Sequence, residues 1–130
     1  MKGKKPALAK DWLEKGRHDF EMAQLLYKEQ GYTDIIAFLI QQAVEKYLKG
    51  FLIYHGWKLR KIHDLETLLN EAINVEHSFE DFSITCRKIT EYYIESRYPL
   101  GFPVDYPREE IKESLDAAGE IIAKIEKTVK

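Results

Sequence analysis

The chain has 130 residues, of which 45% are hydrophobic and 32% are charged, with a formal net charge of −2. This length suits one domain that needs no disulfides, and the single cysteine, Cys86, excludes both an intrachain disulfide and a metal site built on several thiolates. The near-neutral charge argues against a general nucleic-acid coat protein, and the lack of a long apolar run predicts a cytoplasmic protein that does not enter a membrane.

Residues 1–30 predict a tail and a first helix. Residues 1–6 are rich in lysine and are expected to form a flexible basic tail. Residues 7–30 have a helical apolar stripe, in which Gly16 would let a second helix approach closely, and Gly31 is expected to cap the helix C-terminus. The stripe consists of Leu8, Trp12, Phe20, Ala23 and Tyr27.

A second helix is predicted to follow directly. Either Thr33 or Asp34 can cap its N-terminus, and Gly56 is expected to end it. Its inner stripe consists of Ile36, Ile40, Ala43, Tyr47 and Phe51. Polar residues interrupt its apolar sequence FLIQQAVEKYLKGFLIYHG at near-helical intervals, and they are Gln41, Gln42, Glu45, Lys46 and Lys49.

These five polar residues allow two interpretations. The preferred one is a solvated helix face, on which Glu45 and Lys49, four residues apart, form a modest ion pair. In the alternative, Gln42, Lys46 and Lys49 face a neighbouring loop and hold an anion, because the two lysines bring two positive charges within one turn and the glutamine adds an amide.

Three more helices are predicted after the loop WKLRKIH. Asp64 is the expected N-cap of a short third helix, and a fourth runs from about Phe79 to about Arg97, where three prolines and a glycine in YPLGFPVDYPR break it. Pro107 suits the first turn of a fifth helix. No segment alternates like a strand, so the expected fold is an all-α, up-and-down bundle of four long helices and one short helix in a single domain, residues 1–130.

Two other regions contain residue types that serve in binding sites. The loop WKLRKIH mixes basic and aromatic groups, which can clamp phosphate. The preferred interpretation is a polar connection, in which Trp57 and Ile62 pack into the core and His63 orients the third helix through a backbone contact.

Cys86 is expected to be an inert core residue. The four histidines have no paired ligand spacing, so neither a metal site nor a cofactor is predicted.

The connection between the last two helices is unusually aromatic. An apolar loop of this kind is expected to pack on something, either a second copy of the chain or a nucleobase sandwiched between tyrosines. Arg97, at the predicted end of the fourth helix, is favoured there by the helix dipole. The aromatic residues around it are Tyr92, Tyr93, Tyr98, Phe102 and Tyr106.

The order of these elements, with IIAFLIQQAVEKYLKGFLIYHG, then IHDLETLL, then ESRYP, resembles the HEPN domain family over most of the chain. That family consists of small helical bundles, often found beside minimal nucleotidyltransferases in prokaryotes. The resemblance implies a homodimer, binding of a nucleotide or RNA, an adjacent nucleotidyltransferase as partner, and a role in a toxin–antitoxin pair. It also favours the anion interpretation, and the predicted ligand site then consists of Gln42, Lys46, Lys49, Arg97 and Tyr98.

One branch of the family has a pattern that this sequence lacks. HEPN ribonucleases carry an arginine followed, after about four to six intervening residues, by a histidine, and the pair acts on the 2′-hydroxyl and the phosphate. Here Arg60 and His63 are too close, and no histidine follows Arg97 at that interval. We therefore predict a non-catalytic binding module with no catalytic residues. The alternative is a degenerate ribonuclease that uses Arg97 with a tyrosine or a distant histidine.

Overall fold

The computed structural model describes residues 5–93 and 105–129, apart from the side chains of residues 5 and 6. In these ranges the chain is helical and contains no strand, which confirms the all-α bundle. Two short 3₁₀ segments, His77–Phe82 and Thr90–Tyr92, flank the fourth helix. The five helices are α1 (Lys5–Lys28), α2 (Thr33–Tyr54), α3 (Leu65–Val75), α4 (Ser83–Ile89) and α5 (Arg108–Thr128).

The second helix, α2, lies at the centre of the bundle and contacts all four other helices. Every residue of its predicted inner stripe is buried, but so are residues on its other sides, such as Val44, Leu48 and Leu52. Burial is thus not limited to one stripe, and the part of α2 that stays accessible includes Ile35, which is 45% exposed, and Lys46. The stripe of α1 is only partly confirmed, because Ala23 is buried whereas Leu8 is exposed.

Glycines allow α1 and α2 to pack closely in antiparallel directions. A Cβ atom on Gly16 would lie 2.8 Å from Cδ2 of Tyr47 and 3.2 Å from the carbonyl oxygen of Ala43. A Cβ atom on Gly50 would lie 2.7 Å from Cδ2 of Leu13. The predicted role of Gly16 is confirmed, and Gly50 makes the same contact possible from the opposite helix.

The turn between α1 and α2 differs from the prediction. The residue in the left-handed region is Gln30, with a φ of 64°, and not Gly31. The Gln30 N–H donates to the carbonyl of Tyr27 at 3.1 Å, and the Gly31 N–H donates to that of Leu26 at 2.6 Å, so the left-handed residue of this Schellman turn precedes the glycine. Glycine is needed at 31 for space, since a Cβ atom there would lie 3.1 Å from the Leu26 carbonyl oxygen.

The starts of the helices show one wrong prediction and one confirmed prediction. Helix α2 begins at Thr33, but Tyr32 occupies its N-cap position and makes no capping hydrogen bond through its side chain. Thr33 is already inside the helix, and its hydroxyl accepts from the N–H of Tyr106 at 3.3 Å, while the Asp34 carboxylate accepts from the N–H of Ile35 at 2.9 Å. Asp64 caps α3 as predicted, accepting from the N–H of Thr67 at 3.1 Å.

The predicted fourth helix is not continuous in its described part. Its α-helical section is limited to Ser83–Ile89, and Tyr93 has an extended backbone, with ψ of 142°. The Thr90 hydroxyl accepts from the N–H of Leu65 at 2.9 Å, which ties this segment to the start of α3. Cys86 is fully buried as predicted, and burial raises the pKa of its thiol to about 12, so it is unreactive at neutral pH.

Helix α5 is joined to the earlier helices by polar contacts at both of its ends. Near its start, the Arg108 guanidinium donates to the carbonyls of Tyr27 at 2.8 Å and Gly31 at 3.0 Å. Near its end, Glu126 accepts from the hydroxyl of Tyr47 at 2.9 Å, and burial together with this carboxylate holds the pKa of Tyr47 above its ordinary value. Within the described ranges, no helix combines the length and the apolarity needed to cross a membrane.

The close approach of α1 and α2 predicts a stability difference between two glycine substitutions. We expect Gly16→Ala to lower the free energy of unfolding by about 1–3 kcal/mol, because the new methyl group meets the buried ring of Tyr47 and a backbone oxygen. The matched control is Gly119→Ala, whose Cβ would meet only Phe20 at 3.5 Å, an ordinary contact, so better helix propensity should leave stability unchanged or raised. Urea unfolding measures both, and equal effects would contradict the packing argument.

Candidate functional site

The polar residues in the middle of α2 do not form a solvated face. The relative exposure of Gln41 is 0%, and that of Glu45 and Lys49 is 3% each. The predicted ion pair exists, with Lys49 Nζ 2.9 Å from Glu45 Oε2, but both side chains are buried. The solvated-face interpretation is therefore wrong for these three residues, because α3 and the loop before it cover this side of α2.

The Glu45 carboxylate is the centre of a buried hydrogen-bond network. Its Oε1 accepts from the side-chain amide of Gln41 at 3.0 Å and lies 3.5 Å from that of Gln42. Its Oε2 accepts from Lys49 and lies 3.0 Å from Nδ1 of His63. We call Gln41, Gln42, Glu45, Lys49 and His63 the Glu45 network. A buried charge that is hydrogen-bonded on both oxygens avoids the large cost of an unpaired one.

His63 connects this network to the fourth helical segment. Its ring stacks on the ring of Tyr93, with centroids 4.5 Å apart and an interplanar angle of 15°. Its backbone carbonyl accepts from the Gln41 amide at 3.1 Å, so the hydrogen bonds of His63 run to α2 and not to the start of α3, for which it was predicted. Burial favours a higher pKa for the adjacent Asp64, but hydrogen bonds from Thr67 and Thr90 outweigh it and keep that pKa below its ordinary value.

Both lysines of the predicted anion site have carboxylate partners. Lys46 Nζ lies 2.6 Å from Asp19 Oδ2 on α1, and Lys49 is paired with Glu45. The Lys49 ammonium also lies 5.2 Å from the centre of the Trp12 ring. The two positive charges are thus balanced within the protein, and only Lys46, with a quarter of its side chain exposed, has access to solvent.

Three of the five predicted ligand residues lie together, and two lie outside the described residues. Gln42, Lys46 and Lys49 share one side of α2, as their spacing required, and the amide of Gln42 donates to that of Gln41 at 2.8 Å. Arg97 and Tyr98 fall in the undescribed segment 94–104, as does Phe102. The network also contains Gln41, Glu45 and His63, which were not among the predicted ligand residues. For Gln41 and Glu45 the signal was their position among apolar residues on most sides of α2, whereas no helical spacing pointed to His63.

The basic loop after α2 is a polar connection, which agrees with the preferred interpretation of its sequence. Trp57 and Ile62 pack against the core, and Arg60 lies over the Trp57 ring at 5.4 Å while donating to Glu71 at 2.9 Å. Within residues 5–93 and 105–129, no three side chains of His, Cys, Asp or Glu come together as a metal-binding group.

The contrast between a buried and an exposed ion pair predicts different costs for the same substitution. Lys49 and Lys112 each pair with a carboxylate four residues away, but the pair of Lys112 with Asp116 is exposed. We expect Lys49→Met to lower the free energy of unfolding by about 3 kcal/mol, because it keeps the apolar stem and leaves Glu45 short of a charged donor. Lys112→Met should have no measurable effect. Equal midpoints in urea for both variants would contradict the burial of the pair.

Comparisons with known proteins agree with this fold. The family model described as HEPN domain matches residues 9–128. The structure is similar to the crystal structure of TT1696 from Thermus thermophilus, with 34% identity, a TM-score of 0.75, and coverage of 92% of this chain and 96% of that one. It is also similar to ST0689, described as an archaeal HEPN homologue, with 24% identity, a TM-score of 0.75, and coverage of 94% and 98%, a likeness that concerns the fold alone.

The comparison with curated proteins found no match. The family match nevertheless covers nearly the whole bundle, from the first turns of α1 to the end of α5. Its limits enclose all five members of the Glu45 network. This chain therefore belongs to the HEPN domain family.

Proposed function

We propose that this protein is a non-catalytic HEPN-type module that binds the phosphate of a nucleotide or of RNA beside the Glu45 network. The observation that carries the proposal is the burial of an ion pair, Glu45 with Lys49, next to a half-exposed imidazole, that of His63. Polar groups brought together in this way are typical of binding and catalytic sites.

Stability alone is a poor explanation for the Glu45 network. Removing two charges from water costs several kcal/mol per ion, and apolar side chains of similar volume often stabilise a core equally well or better. The positions of Glu45 and Lys49 are surrounded by apolar residues of α2 that already form such a core. A ligand-binding role gives a reason for keeping charges there.

The predicted ligand residues fit this proposal with different tasks. The Lys46 ammonium has three donors, so it can keep its bond to Asp19 and turn another proton toward a phosphate. Lys49 is too buried for direct contact and would act by holding the Glu45 carboxylate in place beneath the ligand. Gln42 adds an amide, while Arg97 would supply a planar fork for phosphate and Tyr98 a stacking surface.

The proposal includes protein partners. Ile84 on α4 is 77% exposed, unusual for a large apolar side chain, and it borders a shallow pocket of about 140 Å³ between α4 and α5. An exposed apolar residue beside a pocket supports a protein-binding surface. A second copy of this chain and an adjacent nucleotidyltransferase, within a toxin–antitoxin pair, are the partners we propose on the strength of the family.

Calorimetric titration with ATP, AMP and a short RNA tests ligand binding. We expect wild-type protein to bind at least one of them, and Lys46→Ala to weaken that binding about tenfold by removing one charged hydrogen bond. Lys112→Ala is the matched control, because it removes an exposed, paired lysine on a different helix. If no compound binds, or if both variants bind like wild type, the phosphate site at Lys46 is wrong.

The degenerate ribonuclease is kept as a second candidate because of one observation. His63 stacks on Tyr93, the last residue described before the gap that contains Arg97. A histidine distant in sequence therefore lies against the residue four positions before Arg97. We still expect no cleavage of single-stranded RNA without added metal, since the arginine–histidine spacing is absent. Gel analysis of a labelled RNA measures this. Cleavage that is lost in a folded Arg97→Ala variant would establish the enzyme instead.

A further inference from the structure

One member of the Glu45 network reaches solvent much further than the charged pair beneath it. The side chain of His63 is 46% exposed, whereas those of Glu45 and Lys49 are 4% exposed. A ligand that approaches this side of the bundle therefore meets the imidazole before it meets the buried ion pair. This makes His63, which the sequence assigned only to helix orientation, a candidate for direct contact.

The hydrogen bonds of the network determine how the imidazole is presented. Glu45 receives donors from Lys49 and Gln41, so it acts as an acceptor, and the His63 ring must donate its Nδ1 proton to Oε2. Stacking on Tyr93 fixes the plane of the ring. With Nδ1 occupied and the plane fixed, Nε2 is the ring nitrogen left for a ligand, and within the described residues it makes no hydrogen bond.

The charges around the ring sum to one negative charge, because Glu45 and Lys49 cancel and Asp64 adds a carboxylate. Helix α2 presents Glu45 and, behind it, Lys49, which cancel each other. The loop contributes the adjacent Asp64, whose carboxylate is engaged by Thr67 and Thr90, and the fourth segment contributes the face of Tyr93. A proton on the imidazole would therefore add positive charge at the surface of the network, where an anionic ligand can reach it.

We infer that His63 contacts the ligand phosphate through Nε2, and that Glu45 is the positioning residue that holds the ring for this contact. The inference rests on the proposed function, and it replaces Lys49 by His63 as the direct contact. The ligand chemistry is a phosphate group, from a free nucleotide or from the end or backbone of an RNA. Because Nδ1 donates to Glu45 and the oxygens of an ionised phosphate only accept, Nε2 must also carry a proton in the complex.

Two substitutions separate ligand contact from a structural role. In His63→Asn, the amide nitrogen can take the place of Nδ1 and keep the bond to Glu45, but nothing replaces Nε2. In His63→Gln, the longer side chain places an amide near the position of Nε2. The matched control is His77→Gln, since His77 also pairs with a glutamate, Glu80, at 3.1 Å but lies on the separate 3₁₀ segment.

The probes are ATP, inorganic phosphate, and a six-nucleotide RNA with and without a 5′-phosphate, all titrated calorimetrically at pH 6. We expect His63→Asn to bind the best probe about tenfold more weakly than wild type. His63→Gln should retain part of the affinity, and His77→Gln should bind like wild type. The RNA pair distinguishes a terminal phosphate from the backbone.

The outcomes separate the inference from the function on which it rests. If a probe binds and His63→Asn keeps the wild-type affinity, the inference is overturned while the proposed function stands. If no probe binds wild-type protein, the proposed function fails, and the inference fails with it. Nitrogen chemical shifts of the His63 ring give an independent check, because Nε2 must shift on adding the probe while Nδ1 stays protonated. Unchanged Nε2 shifts in a saturated complex would also overturn it.

Discussion

The constraint on which this structure depends is that α2 packs against all four other helices and buries most of its surface. A polar side chain on a buried side of such a helix must find its partner inside the protein. The Glu45 carboxylate is the strictest case, because a charged group buried to this degree requires several donors. Helix α2 itself provides Gln41 and Lys49, with the Gln42 amide farther away at 3.5 Å, and the loop before α3 provides His63. The position of that loop and the satisfaction of the carboxylate therefore determine each other.

The burial of α2 also determines what its two lysines can do. Lysines on a solvated helix would be mobile donors for any anion, whereas here Lys46 and Lys49 are already bound by Asp19 and Glu45. Their charge is thus balanced within the protein before a ligand arrives. Recognition then depends on groups at the rim whose orientation the buried network sets. This arrangement is preorganised, because the cost of ordering these side chains is met during folding.

The ends of the helices are also held by residues that are distant in the sequence. The turn after α1 leaves carbonyl oxygens exposed, and Arg108 at the start of α5 binds two of them while its guanidinium lies 4.8 Å from the centre of the Tyr27 ring. Asp64 caps α3 and accepts from Thr90 at 3.2 Å, so one carboxylate serves both a local and a long-range purpose. Helix ends must satisfy their free backbone groups, and here they do so with residues from distant parts of the chain.

Local patterns in the sequence determined the fold class, the approximate helix positions, the cap at Asp64 and the space at Gly16, because each depends on periodicity or on neighbours within a few residues. The sequence also placed Gln42, Lys46 and Lys49 on one side of α2. The tertiary structure decided whether that side faces water. The partners that bury it, His63 for Glu45 and Asp19 for Lys46, lie 18 and 27 residues away in the chain, and no helical spacing links them. The fourth helical segment is likewise tied to α3 by a contact that helical spacing does not reveal, since the Thr90 hydroxyl accepts from the N–H of Leu65, 25 residues away.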